Sequence, residues 1–124
     1  MSAFYSPSLV EGLVYREEKK IKETDLDTYW GIGKLNVLAT PVLLSFMEQT
    51  VIKMITPYLN PSYETICLEM NVKHLQSVDL DETIHCNVHL KFIDEEKLFF
   101  DVVVLNGDSE KIGISSQERI VVKR

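Results

Sequence analysis

The chain predicts an α+β fold in which one curved antiparallel sheet of about five strands wraps around one long central helix. Residues 40–55 form an almost wholly apolar stretch with a start and a stop signal, too long for a strand and too apolar for a surface helix. From residue 65 to the end, apolar and polar residues alternate with period two, the signature of strands with one covered face. With 124 residues, 45% of them hydrophobic, there is enough material for one core and no room for a second, so residues 1–124 are expected to form a single domain.

The elements follow in order. The first eight residues are expected to be loosely held. Glu11 to Lys22 alternate loosely, with Leu13 and Tyr15 against Val14 and Arg16, and end in a charged run, which suits a strand with one wet face. Asp25 to Asn36 carry Tyr29, Trp30, Gly31 and Gly33, a composition that favours an aromatic loop with tight turns. The helix is expected over Thr40–Ile55, with Thr40 as N-cap, Pro41 at the first helical position and Pro57 and Pro61 beyond its end. Leu43, Leu44, Met47, Val51, Ile52 and Ile55 leave Gln49 and Lys53 as its solvent face.

Four strands should follow. Thr65 to Leu75 place Ile66, Leu68, Met70, Val72 and His74 on one face, and Thr83 to Ile93 turn Ile84, Cys86, Val88, Leu90 and Phe92 inward. Leu98 to Leu105 and Lys111 to Val122 are joined by Asn106-Gly107-Asp108, a turn sequence. One sheet covered by one helix is the economical packing of these parts.

Bulk properties exclude several functions. Thirteen basic and nineteen acidic side chains give a net charge of -6, which repels a phosphate backbone and argues against a nucleic-acid partner. No apolar run reaches the roughly 18 residues a membrane span needs, no signal-peptide pattern opens the chain, and a cytoplasmic protein is expected. Cys67 and Cys86 lie among apolar strand residues and read as buried free thiols. His85 and His89 have the i, i+4 spacing of a helical metal pair, but in a strand they stand about 13 Å apart, so no metal site is expected.

Chemistry is suggested by polar residues in apolar places. Glu48 shares a helix face with Leu44, Val51, Ile52 and Ile55, and His74 closes the apolar face of its strand two residues beyond Val72. A buried lone carboxylate costs several kcal/mol unless a donor compensates it, so a pocket shared by Glu48 and His74 is the simplest joint solution. Thr40 precedes Glu48 by eight residues, which brings its hydroxyl to the same side of the helix near the amino end. Carboxylate, imidazole and hydroxyl together can hydrolyse an acyl bond. Thr40 as a mere cap, and Glu48 with His74 as a structural pair, are the alternatives.

Val37-Leu38-Ala39-Thr40-Pro41, the apolar helix with Glu48, Val72-Lys73-His74-Leu75, Ile112-Gly113 and Glu118-Arg119-Ile120-Val121-Val122 together resemble the fluoroacetyl-CoA thioesterase-like group of hotdog thioesterases. The resemblance implies a hotdog fold, a homodimer with sheets paired edge to edge, and hydrolysis of an acyl-CoA by Thr40, Glu48 and His74; a tetramer of such dimers is the alternative assembly. It implies that Glu48 attacks the thioester or activates water, that His74 manages protons, and that Thr40 orients Glu48. Coenzyme A enters as part of the substrate and no cofactor is expected; Lys34, Lys73 and Arg119 are the candidates for its phosphates. A noncatalytic acyl-CoA-binding module is the rival reading. Three stretches depart from the family: Ser77-Val78-Asp79-Leu80-Asp81-Glu82 replaces a Pro and a Gly, Gln117 stands where a His is common, and Gly31-Ile32-Gly33-Lys34-Leu35 has no aromatic lid of the kind associated with fluorinated substrates.

Overall fold

The structure is a computed structural model that describes residues 4–124. Strand β1 (Val14–Lys20) leads through a 3-10 turn (Glu23–Asp25) and the single turn α1 (Asp27–Trp30) into α2 (Thr40–Ile55). Strands β2 (Tyr63–His74), β3 (Thr83–Asp94), β4 (Lys97–Leu105) and β5 (Lys111–Lys123) complete the chain. They form one five-stranded sheet in the order β1-β3-β4-β5-β2, and every neighbouring pair is antiparallel. The curved sheet holds α2 on its inner face, as the alternation of apolar residues predicts.

The order of the strands was not legible from the pattern. β2 does not pair with β3, the next strand in sequence; it lies beyond β5 and forms one edge of the sheet, with β1 as the other. Each edge leaves a row of backbone groups open on one side.

The helix keeps its expected bounds, but its start differs from the expectation. Ala39, not Thr40, is the N-cap, Pro41 falls within the first two helical positions, and no side chain caps the amides. Thr40 is thereby free to turn its hydroxyl outward. Val42, Leu43, Phe46, Met47, Val51, Met54 and Ile55 are buried, while Ile52 is 40% exposed. Gly113 explains how closely the helix sits on the sheet: a Cβ there would lie 2.9 Å from Leu43 Cδ2 and 3.0 Å from Met47 Cε. Gly113→Val should lower unfolding free energy by about 2 kcal/mol through overpacking, measurable in urea.

Two bulges overturn the strand faces read from the sequence. Between Cys67 and Glu69 the β2–β5 register shifts, with Leu68 as the extra residue. Before the bulge Tyr63, Thr65 and Cys67 are half-buried; after it Met70, Val72 and His74 are, whereas Ile66 and Leu68 are 48% and 47% exposed. One inserted residue inverts the alternation, so Ile66 and Leu68 leave the face that Met70 keeps. A second shift between Leu90 and Phe92 turns Phe92 out, 49% exposed, against the Phe99 ring.

The amino end also departs from expectation. The part of the loosely held segment that falls on residues 1–3 lies outside the described residues, but the residues after it are tied down. Tyr5 bridges to Leu59, the Ser6 amide donates to the Tyr58 carbonyl at 2.7 Å, and Leu9 is 3% exposed. Of the two free cysteines, Cys86 is buried and Cys67 half-buried. Burial pushes the Cys86 thiol up to about 11, the mark of an inert core group.

Candidate active site

Thr40, Leu44, Glu48 and Ile52 recur every four residues and form one stripe along α2. Facing them is the inner side of β2, which runs the opposite way: His74 lies at the Thr40 end and Thr65 at the Ile52 end. Because β2 is an edge strand, the seam between it and the helix is open on one side, and Leu44, Glu48, Val72, Met70 and Thr65 are all half-buried.

At the amino end of the stripe, Thr40 Oγ1 and His74 Nδ1 are hydrogen-bonded at 2.8 Å. The bond joins the first turn of the helix to the last residue of β2, and it fixes the ring so that Nε2 points away from the threonine. That Nε2 is buried without a hydrogen-bond partner. A buried imidazole nitrogen left unmatched in an otherwise satisfied strand end is where a ligand group would be expected. Burial pushes the His74 pKa below its ordinary value of 6.5, while the Gln76 backbone and the Asp27 charge act more weakly the other way. At neutral pH the ring is therefore uncharged, one nitrogen a donor and the other an acceptor.

The lowered value has a consequence for stability. Just below pH 6.5 the unfolded chain takes up a proton at His74 that the folded protein refuses, so stability falls as pH drops through that window and levels off once the folded ring is also protonated. In urea unfolding between pH 7 and pH 5, His74→Gln should lose less stability than the wild type; parallel losses would contradict it.

Four residues beyond Leu44, Glu48 Oε2 accepts a hydrogen bond from an Arg119 terminal nitrogen, Nη1, at 2.7 Å. The guanidinium is held in turn by β2 and β5: Nε donates to Thr65 Oγ1 at 2.9 Å, Nη2 to the Thr65 carbonyl at 3.2 Å, and Nη1 also to Gln117 Oε1 at 3.0 Å. The bulge makes this possible, because it is the phase before Leu68 that turns Thr65 inward beneath Arg119. Gln117 is 2% exposed, and its amide orientation is set by Arg119, since only the carbonyl oxygen can face a guanidinium donor.

The sequence reading is changed at three points. Thr40 contacts His74 and not Glu48. Among the described residues no hydrogen bond or ion pair joins Glu48 to His74; each has its own partner along the same seam. Arg119 is 2% exposed with its donors taken internally, so it serves Glu48 and is not placed to meet a phosphate in solvent. Lys34 and Lys73 are exposed, Lys73 next to His74 and Lys34 ahead of the helix start. Thr65 and Gln117 were missed as site residues, and only knowledge of the bulge could have turned Thr65 toward Glu48. The aromatic loop stands outside: Tyr29, Trp30, Ile32 and Leu35 are 65%, 50%, 56% and 69% exposed.

Comparison with known proteins agrees with this architecture. The family described as FlK, fluoroacetyl-CoA-specific thioesterase, matches residues 21–124. The fluoroacetyl-CoA thioesterase FlK superposes with a TM-score of 0.85 at 18% identity, over 93% of this chain and 89% of its own. A thioesterase superfamily member from Thermus thermophilus gives 0.84 at 20% identity, over 93% and 85%. A hot-dog-like protein from Thermanaerovibrio acidaminovorans gives 0.83 at 18% identity, over 95% and 84%. These likenesses establish the hotdog fold. No curated protein matches the chain in sequence.

Proposed function

We propose that this chain, which belongs to the fluoroacetyl-CoA-specific thioesterase family and so is a thioester hydrolase, cleaves an acyl-CoA in the seam between α2 and β2 with Thr40, Glu48 and His74. The observation that carries the reading is the Thr40–His74 hydrogen bond with His74 Nε2 left buried and unmatched. A ring held from behind, uncharged and short of one partner, is prepared to exchange a proton with a substrate.

In this reading the thioester carbonyl lies between Glu48 and His74. Arg119 occupies Glu48 Oε2, so Oε1 is the atom that acts, either by attacking the carbonyl carbon or by taking a proton from the water that does. The C–S bond breaks and water adds across it: its oxygen becomes the acid's second oxygen, and the proton it loses, taken up by Glu48 or by the neutral His74 ring, passes to the departing sulfur so that both groups end as they began. The amino end of α2 next to Thr40 favours negative charge developing on the carbonyl oxygen. Lys34 and Lys73, both exposed at that end, are suited to the phosphates of coenzyme A. Nothing in the site favours a fluorinated acyl group.

The working form in this reading is a homodimer. The seam is open on the side of the β2 edge, where Ile66, Leu68 and Ile52 are exposed, and a second copy placed there would cover them and close the seam. Leu68→Lys should shift the protein from dimer to monomer in sedimentation and lower activity; an unchanged dimer would remove β2 from the interface. Among the described residues no helix is long and apolar enough to cross a membrane, and two free thiols fit a reducing cytoplasm.

The test is release of free thiol from acetyl-, butyryl-, octanoyl- and benzoyl-CoA by the purified full chain. Steady release of thiol at a rate proportional to enzyme supports hydrolysis. Tight binding of all four without release would make the protein a noncatalytic acyl-CoA-binding module.

A further inference from the structure

The stripe that carries Thr40 and Glu48 continues past the carboxylate. One turn on stands Ile52, and there the end of α2 and the start of β2 enclose a half-open cavity of about 520 Å³, with Ile52, Ile55, Leu59, Pro61 and Tyr63 as its apolar wall and polar residues making up the rest. Cavities of this size hold small organic ligands. The charges at its rim cancel, Arg124 Nε lying 3.4 Å from Glu64. Thr65 also lines it, and the same Thr65 accepts from the Arg119 that grips Glu48. The cavity therefore adjoins the reactive carboxylate, one helical turn along α2 and two hydrogen bonds away through Arg119.

The seam has two unlike ends. Beyond Thr40 and His74 lies the exposed cation Lys34, next to the Gly33 that packs on Asp27, with Lys73 on the outer face of the same strand end as His74; beyond Glu48 lies a hollow with an apolar wall at Ile52, Ile55 and Leu59. An acyl-CoA is polarised in the same sense, with an anionic nucleotide arm on the sulfur and an apolar arm on the carbonyl carbon. We infer that the cavity at Ile52 is the acyl subsite and that the substrates are medium-chain aliphatic acyl-CoAs, an inference that rests on the Glu48 seam being the thioester site. The orientation it sets is chemically consistent, because the sulfur then leaves on the side of His74. A carbonyl beside Glu48 is one helical turn, about 6 Å, from Ile52. An acetyl group ends before the cavity begins, whereas an octanoyl chain crosses that distance and buries its last methylenes within it. Each methylene so buried should tighten binding about fourfold.

The probes are the non-hydrolysable thioethers S-octyl-CoA and S-ethyl-CoA, titrated calorimetrically into the full chain. S-octyl-CoA should bind about 50-fold or more tightly, and Ile52→Trp, which fills the cavity, should bring the ratio of the two affinities close to one in protein that sediments as the wild type does. Equal binding by the wild type, or a ratio that Ile52→Trp leaves unchanged, overturns the assignment. The wild-type ratio decides alone if the variant does not fold. Thiol release with no dependence on chain length would sink the acyl subsite and leave the hydrolytic reading standing; a large binding ratio without thiol release would do the opposite.

Discussion

Arg119→Met is expected to lower unfolding free energy by about 3 kcal/mol and to cut kcat/KM about 100-fold or more. The methionine keeps much of the side chain's bulk and removes every donor. Glu48 Oε2, Thr65 Oγ1, the Thr65 carbonyl and Gln117 Oε1 then lose their shared partner at once. Buried acceptors left without donors carry their full desolvation penalty, which is larger than the net worth of the bonds while they existed. Because Glu48 remains partly solvated, with 39% of its side chain exposed, the loss should fall at the low end of what breaking a buried pair costs. Arg119 would act on the reaction through Glu48, as a positioning residue, and a double-mutant cycle with Glu48→Gln separates that from general damage. If the arginine works by aiming the carboxylate, removing it from a protein already lacking the carboxylate should cost little further activity while the stability loss persists. Additive activity losses would reduce Arg119 to a structural role.

The division between what the sequence disclosed and what it hid is physical. The helix was legible to within one residue, its apolar content, proline placement and length all pointing to Thr40–Ile55, with only the cap displaced from Thr40 to Ala39. β3 and β5 were legible within a residue or two, since both are central and their inner faces are dry. The bounds of β2 were as close, Thr65–Leu75 against Tyr63–His74, but its faces were not legible, for two reasons. It is an edge strand, so burial imposes a weaker alternation, and its bulge at Leu68 inverts the phase halfway along. Ile66 and Leu68 look like core residues in the sequence because they are as apolar as Met70 and Val72; only the extra residue reveals that they face the other way.

The same bulge decides how much of the site could be read. His74 lies after it, in phase with Val72, and was placed inward correctly; Thr65 lies before it and was assigned to neither face. Thr40 was expected to cap the helix and to turn its hydroxyl toward Glu48, and the structure gives that hydroxyl a partner 34 residues away, His74, instead. Long-range pairs such as Thr40 with His74 and Glu48 with Arg119 leave no periodic trace, as they depend on which strand lies beside the helix, and that is set by the β1-β3-β4-β5-β2 order. Arg119 was drawn toward a phosphate by its charge alone. Its place on the inner face of β5 follows from the alternation with Val121, which is 5% exposed, and this signal was present in the sequence.

Glu48→Gln should lower kcat by about 1,000-fold or more, some 4 kcal/mol in the barrier, while leaving the fold intact. The amide has the carboxylate's shape, and its oxygen can still accept from Arg119 Nη1, so the contacts of Arg119 with Thr65 and Gln117 survive. What is lost is the second oxygen's ability to form an acyl anhydride or to take a proton from water, neither of which an amide nitrogen can do. Binding of S-octyl-CoA should change by less than about threefold, because the nucleotide and acyl arms contact other residues, and the thermal midpoint should stay within about 4 °C of the wild type. The comparison with Thr40→Val sharpens the assignment. The valine frees the His74 ring to rotate without touching Glu48, so its loss should be nearer 10- to 100-fold and confined to kcat. A Glu48→Gln protein that retained more than a tenth of the wild-type rate would move the reaction away from the Arg119-held carboxylate and leave His74 as the only reactive group in the seam.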